Sequence, residues 1–279
     1  MPFIKLARSS RIANRSYLLA EFMIGLLSLT PFTAAVNALG QDNTTSLAAK
    51  DPSAVNTIQT AINSMGGNVA YASIQDATIV ATTGPSGSSA GSINSITWRS
   101  IGMSLRTETA SSNGTSITAV QNWVGLQENA AGSVTVLDSR LALTIYPYHI
   151  PGQVLSYLLN TPSVSLATIN DQSADPNIIH IESEQQLADP SLVPVTRQDW
   201  YFDARTGLPI RVDYYLPDPT NSKNDGTASV VFLGWQKTSS TLVPQSIQQL
   251  SNGAVACLLT IGPPGYNQGL SAATTFKLP

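Results

Sequence analysis

Between Asp51 and Met65 the apolar residues Val55, Ile58, Ile62 and Met65 recur at intervals of three or four, which gathers them on one face of an α-helix. Asp51 suits the N-cap, Pro52 suits the first turn, and Gly66-Gly67 ends the helix. Beyond Gly67 the period changes. Val69–Val80, Ser92–Arg106, Ser116–Leu126 and Gly132–Leu137 are rich in β-branched and aromatic residues and are separated by turn-forming stretches such as Thr83–Gly91 and Ser111–Gly114. They predict a meander of antiparallel strands. Ile96 and Trp98 share one parity while Ile101, Met103 and Leu105 take the other, so a bulge or bend is expected near Gly102.

A second amphipathic helix is expected at 151–160, where Pro151 opens a stripe of Val154, Leu155, Leu158 and Leu159 and Asn160-Thr161-Pro162 closes it. Strand patterns resume at Val164–Ile169, Asn177–Glu184, Arg197–Phe202, Leu208–Leu216, Ala228–Lys237, Leu242–Leu250 and Ala254–Ile261, and Asp203–Gly207 reads as a hairpin turn with Gly207 at positive φ. The sum is a mainly β (α+β) chain. About eleven strands form one curved antiparallel sheet, an incomplete barrel covered by two amphipathic helices.

The first residues change the picture of where the chain works. Lys5, Arg8, Arg11 and Arg15 precede an apolar stretch from Tyr17 and small residues toward Ala38, the order of an export signal. Glu21 and Pro31 leave only Phe22–Leu29 uninterrupted, short of the roughly 20 apolar residues of a membrane span. The expected organisation is a signal segment at 1–38, a polar linker at 39–50 and a single domain at 51–279, with no transmembrane span in the mature chain and a periplasmic or extracellular destination. Cleavage removes four of 14 cations and one of 17 acids, leaving a net charge of −6. Such a chain lacks the basic patch that nucleic acid requires. Only 11% of the residues are charged, against roughly a quarter in an average soluble domain.

Several segments of the chain, in this order, resemble the lipoprotein-carrier superfamily of LolA/LolB-like proteins. These are the first helix ending in Gly-Gly, the strand Ile96-Thr97-Trp98 leading to Leu105-Arg106, and the hairpin Asp199-Trp200-Tyr201-Phe202-Asp203 through Thr206-Gly207-Leu208-Pro209-Ile210-Arg211. Leu242-Val243-Pro244 and Asn267-Gln268-Gly269-Leu270-Ser271 before Phe276 complete the set. The resemblance spans about residues 50–279 and implies a half-barrel with helices over its mouth and an apolar cavity that receives acyl chains. No ligand-contacting residue of the family maps onto a single position here.

The inventory for catalysis is thin. Two histidines, His149 and His180, and one cysteine, Cys257, offer no zinc spacing, and Cys257 reads as a small buried hydrophobe. Gly87-Ser88-Ser89-Ala90-Gly91 matches G-x-S-x-G, but it sits in a Gly/Ser loop between strands and not on a strand-to-helix elbow. Among Asp199, Asp203, Asp213, Glu182 and Glu184, alternation puts Asp213 and Arg211 on an outer face, and Asp203 reads as a turn former. Asn170-Asp171 with Asp175 lacks calcium-loop spacing, and Asn43 and Asn113 begin glycosylation-type triplets. The expectation is a non-enzymatic binding protein without cofactor or metal, whose ligand is a lipid or lipoprotein acyl chain. Its cavity candidates are Ile58, Ile62, Met65, Trp98, Val120, Leu155, Leu158, Tyr214 and Leu258. The alternative is an envelope structural, adhesive or protein-partner-binding domain; an exported hydrolase ranks last.

Overall fold

The computed structural model describes residues 47–83, 93–170, 175–218 and 220–277. The signal segment, most of the linker, Asn43, the Gly87–Gly91 string and Asp171 lie outside the described residues. The first helix, α1 (Pro52–Ser64), forms as its sequence dictates: the Asp51 carboxylate accepts from Ser53 N at 3.0 Å, and Ala54, Ile58, Ala61 and Ile62 are buried. At Gly66 the chain takes φ +129°, and a Cβ there would lie 2.5 Å from Ser240 O, so only glycine fits this exit.

The segment Val69–Val80 is not one strand. Its first half is a short helix, α2 (Asn68–Ala72), which buries Tyr71, and pairing begins only at β1 (Asp76–Thr83). Ser92–Arg106 is likewise two strands, β2 (Ile93–Ile101) and β3 (Ser104–Ser111), joined by a two-residue turn with Gly102 at φ 56°. The parity change read from sequence therefore marks a chain reversal and not a bend. Ile96, Trp98 and Leu105 end on the same face because Trp98 pairs with Thr107 and Ser100 with Leu105. Ser116–Leu126 also divides, into β4 (Gly114–Gln121) and β5 (Val124–Glu128), at a turn whose residues Asn122 and Trp123 have φ 50° and 64°. Tryptophan is costly in this left-handed region, and its ring makes the contacts described below.

Next come β6 (Val134–Val136), a helix with no sequence signal, α3 (Ser139–Thr144), and the expected α4 (Pro151–Asn160). The remaining elements are β7 (Val164–Ile169), β8 (Ile178–Gln185), β9 (Gln198–Asp203), β10 (Pro209–Leu216), β11 (Gly226–Lys237), β12 (Leu242–Ser251), β13 (Ala254–Ile261), β14 (Gly265–Tyr266) and α5 (Ala272–Thr275). The turn into β10 follows its residues: Asp203 Oδ1 accepts from Arg205 N and Thr206 N at 2.8 and 2.9 Å, and Gly207 has φ 71°.

Among the described residues fourteen antiparallel strands form one sheet in the order β6-β5-β4-β3-β2-β1-β13-β12-β11-β10-β9-β8-β7, with β14 beside β1. The sheet is curved and does not close into a barrel. β3 and β10 have five strands between them, which in a flat sheet would be about 29 Å; here residues of both line one cavity. α1 and α4 bury Ile58, Ile62, Leu155 and Leu158 against Trp200, Phe202, Val212 and Phe232 on the inner face. Lys50 Nζ donates to Leu158 O, Leu159 O and Thr161 O at 3.2, 2.5 and 3.0 Å, tying off the C-terminal end of α4.

The two sheet edges are treated differently. Along β7, Leu166 N donates to Ala49 O at 3.0 Å, Asp51 N donates to Leu166 O at 2.8 Å, and Thr168 N donates to Asp51 Oδ2 at 3.1 Å, so the chain entering α1 covers this edge. Among the described residues no strand pairs with the outer edge of β6, where Val134 and Val136 are exposed. No helix among the described residues is long and apolar enough to cross a membrane.

Candidate ligand cavity

The cavity is built around a segment without regular structure, Ile145–Ile150. Its approach is fixed by α3: Asp138 Oδ1 caps the helix by accepting from Arg140 N at 2.8 Å, and the Arg140 guanidinium reaches Asp225 Oδ2 at 3.0 Å and Asp218 O at 2.8 Å in the β10–β11 connection. Its exit is fixed by Pro151 in the first turn of α4 and by Gly152, which lies so close beneath the Tyr71 ring that a Cβ would come within 2.2 Å of it. Tyr71 Oη in turn donates to Met65 O or Leu242 O, at 3.3 and 3.2 Å.

Between these anchors Tyr146, Tyr148 and His149 are pressed onto the concave face of the sheet. They line a partly open cavity of about 330 Å³ with Ile96 and Trp98 of β2, Leu105 and Thr107 of β3, Tyr214 of β10, and Val230 and Ile247 of β11 and β12. His149 stacks on Trp98 with ring centres 4.6 Å apart and planes 6° from parallel. Tyr148 lies 5.0 Å from Tyr214 and 6.0 Å from Trp200, also centre to centre. Burial drives the His149 pKa down to about 3, so the ring is neutral at physiological pH. Burial likewise raises the Tyr148 phenol well above its ordinary value and Tyr214 to about 12.

Of the nine sequence candidates, Trp98 and Tyr214 line this cavity. Ile58, Ile62, Met65, Leu155 and Leu158 are fully or almost fully buried in the packed core beside it. Val120 packs in a separate cluster with Leu137 and Ala142 under α3. Leu258 faces away: its neighbours Cys257 and Leu259 point into the core, and strand alternation turns Leu258 to the other face. The segment Tyr146-Pro147-Tyr148-His149 was not among the candidates, because it has neither helical nor strand periodicity. Its signal in the sequence is the cluster of three rings around a proline.

Trp123, from the strained turn, packs at 5.2 Å on Tyr146 and 6.1 Å on Tyr157, and with Gln153 and Gly102 it lines a neighbouring cleft of about 420 Å³. The outer face holds a larger cleft of about 760 Å³, lined by Ile178, His180, Tyr201, Ile210, Arg211 and Val231. A bulge between Pro209 and Arg211 turns Ile210 outward there. On this face His180 Nε2 and Asp199 Oδ1 are hydrogen-bonded at 2.8 Å, and Arg197 with Glu182 at 2.7 Å and Arg211 with Asp213 at 2.8 Å form ion pairs. Cys257 is buried, donates to Gln249 Oε1 at 3.1 Å, and has its thiol pKa raised by burial. Among the described residues no group of three or more His, Cys, Asp or Glu is placed to hold a metal ion.

The fold and cavity together define a half-barrel with a partly open, mainly apolar and aromatic chamber. No family model matches the sequence, and no curated protein matches it. Among solved structures the chain is similar to a DUF1329 family protein from Desulfovibrio piger, at 13% identity and TM-score 0.48, over 79% of this chain and 95% of that one. It is also similar to a LolA superfamily protein from Nitrosomonas europaea, at 11% identity and TM-score 0.45, over 80% and 97%. A third is the lipoprotein LppX of Mycobacterium tuberculosis, at 13% identity and TM-score 0.29, over 80% and 99%.

Proposed function

We propose that this protein is an exported, non-enzymatic carrier or sensor that holds a lipid, or the acyl part of a lipoprotein, in the concave cavity. The observation that carries the reading is the chamber itself, walled by Ile96, Trp98, Leu105, Tyr148, Tyr214, Val230 and Ile247 and roofed by a segment anchored at both ends. Burying roughly a dozen methylenes there is worth about 10 kcal/mol before the costs of association are deducted. The cationic start and apolar stretch of residues 1–38 support export, with residues 51–279 as one ligand-binding domain.

The test is native mass spectrometry of protein purified from its own host, together with titration by the apolar dye N-phenylnaphthylamine. A co-purifying lipid and saturable dye binding are expected. Thr107→Trp, which fills the chamber from a half-buried position facing Trp98, is expected to weaken dye binding at least about tenfold. Absence of both lipid and saturable binding overturns the reading. The outer cleft between Tyr201 and Val231 is what favours the alternative of a partner-binding domain; an outer-face change such as Ile210→Glu that abolished function while dye binding persisted would support it.

A further inference from the structure

Two polar atoms in the chamber wall have no hydrogen-bond partner among the described residues: Tyr148 Oη and His149 Nε2. Both residues are almost completely buried, at 6% and 3% exposure, and both line the chamber. Buried polar atoms are nearly always satisfied, and one left unpaired lowers stability, so two neighbours unpaired at the same wall require an account. A cavity made only to take hydrocarbon would be served better by phenylalanine at both positions, since Phe keeps the ring contacts with Trp98, Trp200 and Tyr214 and has no polar atom to desolvate.

The rest of the lining narrows the partner. Among the described residues it contains no Lys, Arg, Asp or Glu; its other polar groups are the hydroxyls of Thr107, Thr109, Thr144, Tyr146 and Tyr214, the amide of Gln249 and the indole N–H of Trp98. A carboxylate or phosphate buried there would meet no cation, and an anion in such a site carries a large desolvation penalty. An uncharged hydroxyl meets no such penalty. It donates and accepts, so it pairs with the imidazole nitrogen in either tautomer and with the phenol in either role.

Resting on the proposed ligand site, we infer that the chamber selects uncharged amphiphiles, alkyl or acyl chains that carry hydroxyl groups, over ionised fatty acids, and that Tyr148 and His149 read the hydroxyl. Each residue then contributes specificity at the expense of stability in the empty protein.

The experiment is competition for N-phenylnaphthylamine on the full chain at alkaline pH, with oleyl alcohol, monoolein and oleate below their micellar concentrations. Oleyl alcohol and monoolein are expected to displace the dye at concentrations about tenfold lower than oleate. His149→Phe and Tyr148→Phe are each expected to melt at a higher temperature than the parent by circular dichroism, yet to lose most of that preference. Should His149→Phe fail to fold, Tyr148→Phe, which removes a single oxygen, carries the test. Equal competition by alcohol and oleate overturns the inference while leaving the lipid-binding reading intact. Variants that keep the full preference overturn the roles of these two atoms. A chain that binds neither dye nor lipid overturns the proposed function and the inference with it.

Discussion

Lys50 shows how much one side chain can hold. Its ammonium is shared among three carbonyls at the end of α4, and its backbone neighbours run along β7. Lys50→Met keeps the aliphatic stem but removes the ammonium donor from Leu158 O and Leu159 O, Thr161 O keeping Val164 N, and chemical denaturation is expected to show a loss of about 1–2 kcal/mol. His149 sets a pH dependence. The unfolded imidazole binds a proton below its ordinary value of 6.5, whereas the folded one resists until about 3. The unfolded state therefore gains protons as pH falls through this window, so the contribution is complete above about pH 7 and shrinks steadily toward pH 3. Between pH 7 and 5 the loss from this source is about 2 kcal/mol. Urea unfolding across that range should show it in the parent and not in His149→Phe. Single residues were also where sequence reading fell short. Leu258 and Cys257 are adjacent apolar positions in a strand, and nothing in the order Ala256-Cys257-Leu258-Leu259 says which of the two faces the core.

At the level of elements, the helices with caps and periodicity were legible. Asp51, Pro52 and Gly66-Gly67 bracket α1, and Pro151 opens α4. The hairpin at Asp203–Gly207 carries its own turn chemistry. What could not be read were reversals whose turn residues are unusual. Gly102-Met103 looks like an interruption of a long strand, and Asn122-Trp123 places an aromatic residue where glycine is the usual sign. α3 is a helix of six residues held by its cap and by Arg140, with too few turns for a periodic signal. Contacts between elements predict two outcomes. Gly152→Ala pushes a methyl into the Tyr71 ring, and a loss of about 1–3 kcal/mol is expected in the melting curve. Asp76, buried in β1, accepts from Gln268 N, Gly269 N and Leu270 N at 2.7, 2.9 and 3.1 Å, which gives the Asn267–Ser271 motif its place. Asp76→Ala leaves three amides unpaired and is expected to release the C-terminal segment, seen as faster amide exchange at 268–276 and a loss of about 3 kcal/mol.

Across the whole molecule, the order of strands was readable because within each of two runs, β1–β6 and β7–β13, every strand pairs with its neighbour in sequence; the runs meet where β1 pairs β13, with β14 also on β1. That long-range joint links the two halves of the sheet, whose curvature assembles the chamber from β2 and β3 on one side and β10 to β12 on the other. Periodicity supplies the strands but not the curvature, which explains why the inner-face helices were visible in sequence while the roof at Tyr146–His149 was not. The paired treatment of edges has a consequence for assembly. With β7 covered by residues 48–51 and β6 left uncovered by the described residues, edge-to-edge pairing between two copies joins β6 to β6. Such a contact is isologous: each copy spends its one available edge, and growth stops at two. A chain started at Pro52 would present both edges and could add copies head to tail without limit. Sedimentation velocity should find the full chain no larger than a dimer and the shortened one extending into filaments, so the few residues ahead of α1 act as a chain terminator for the sheet.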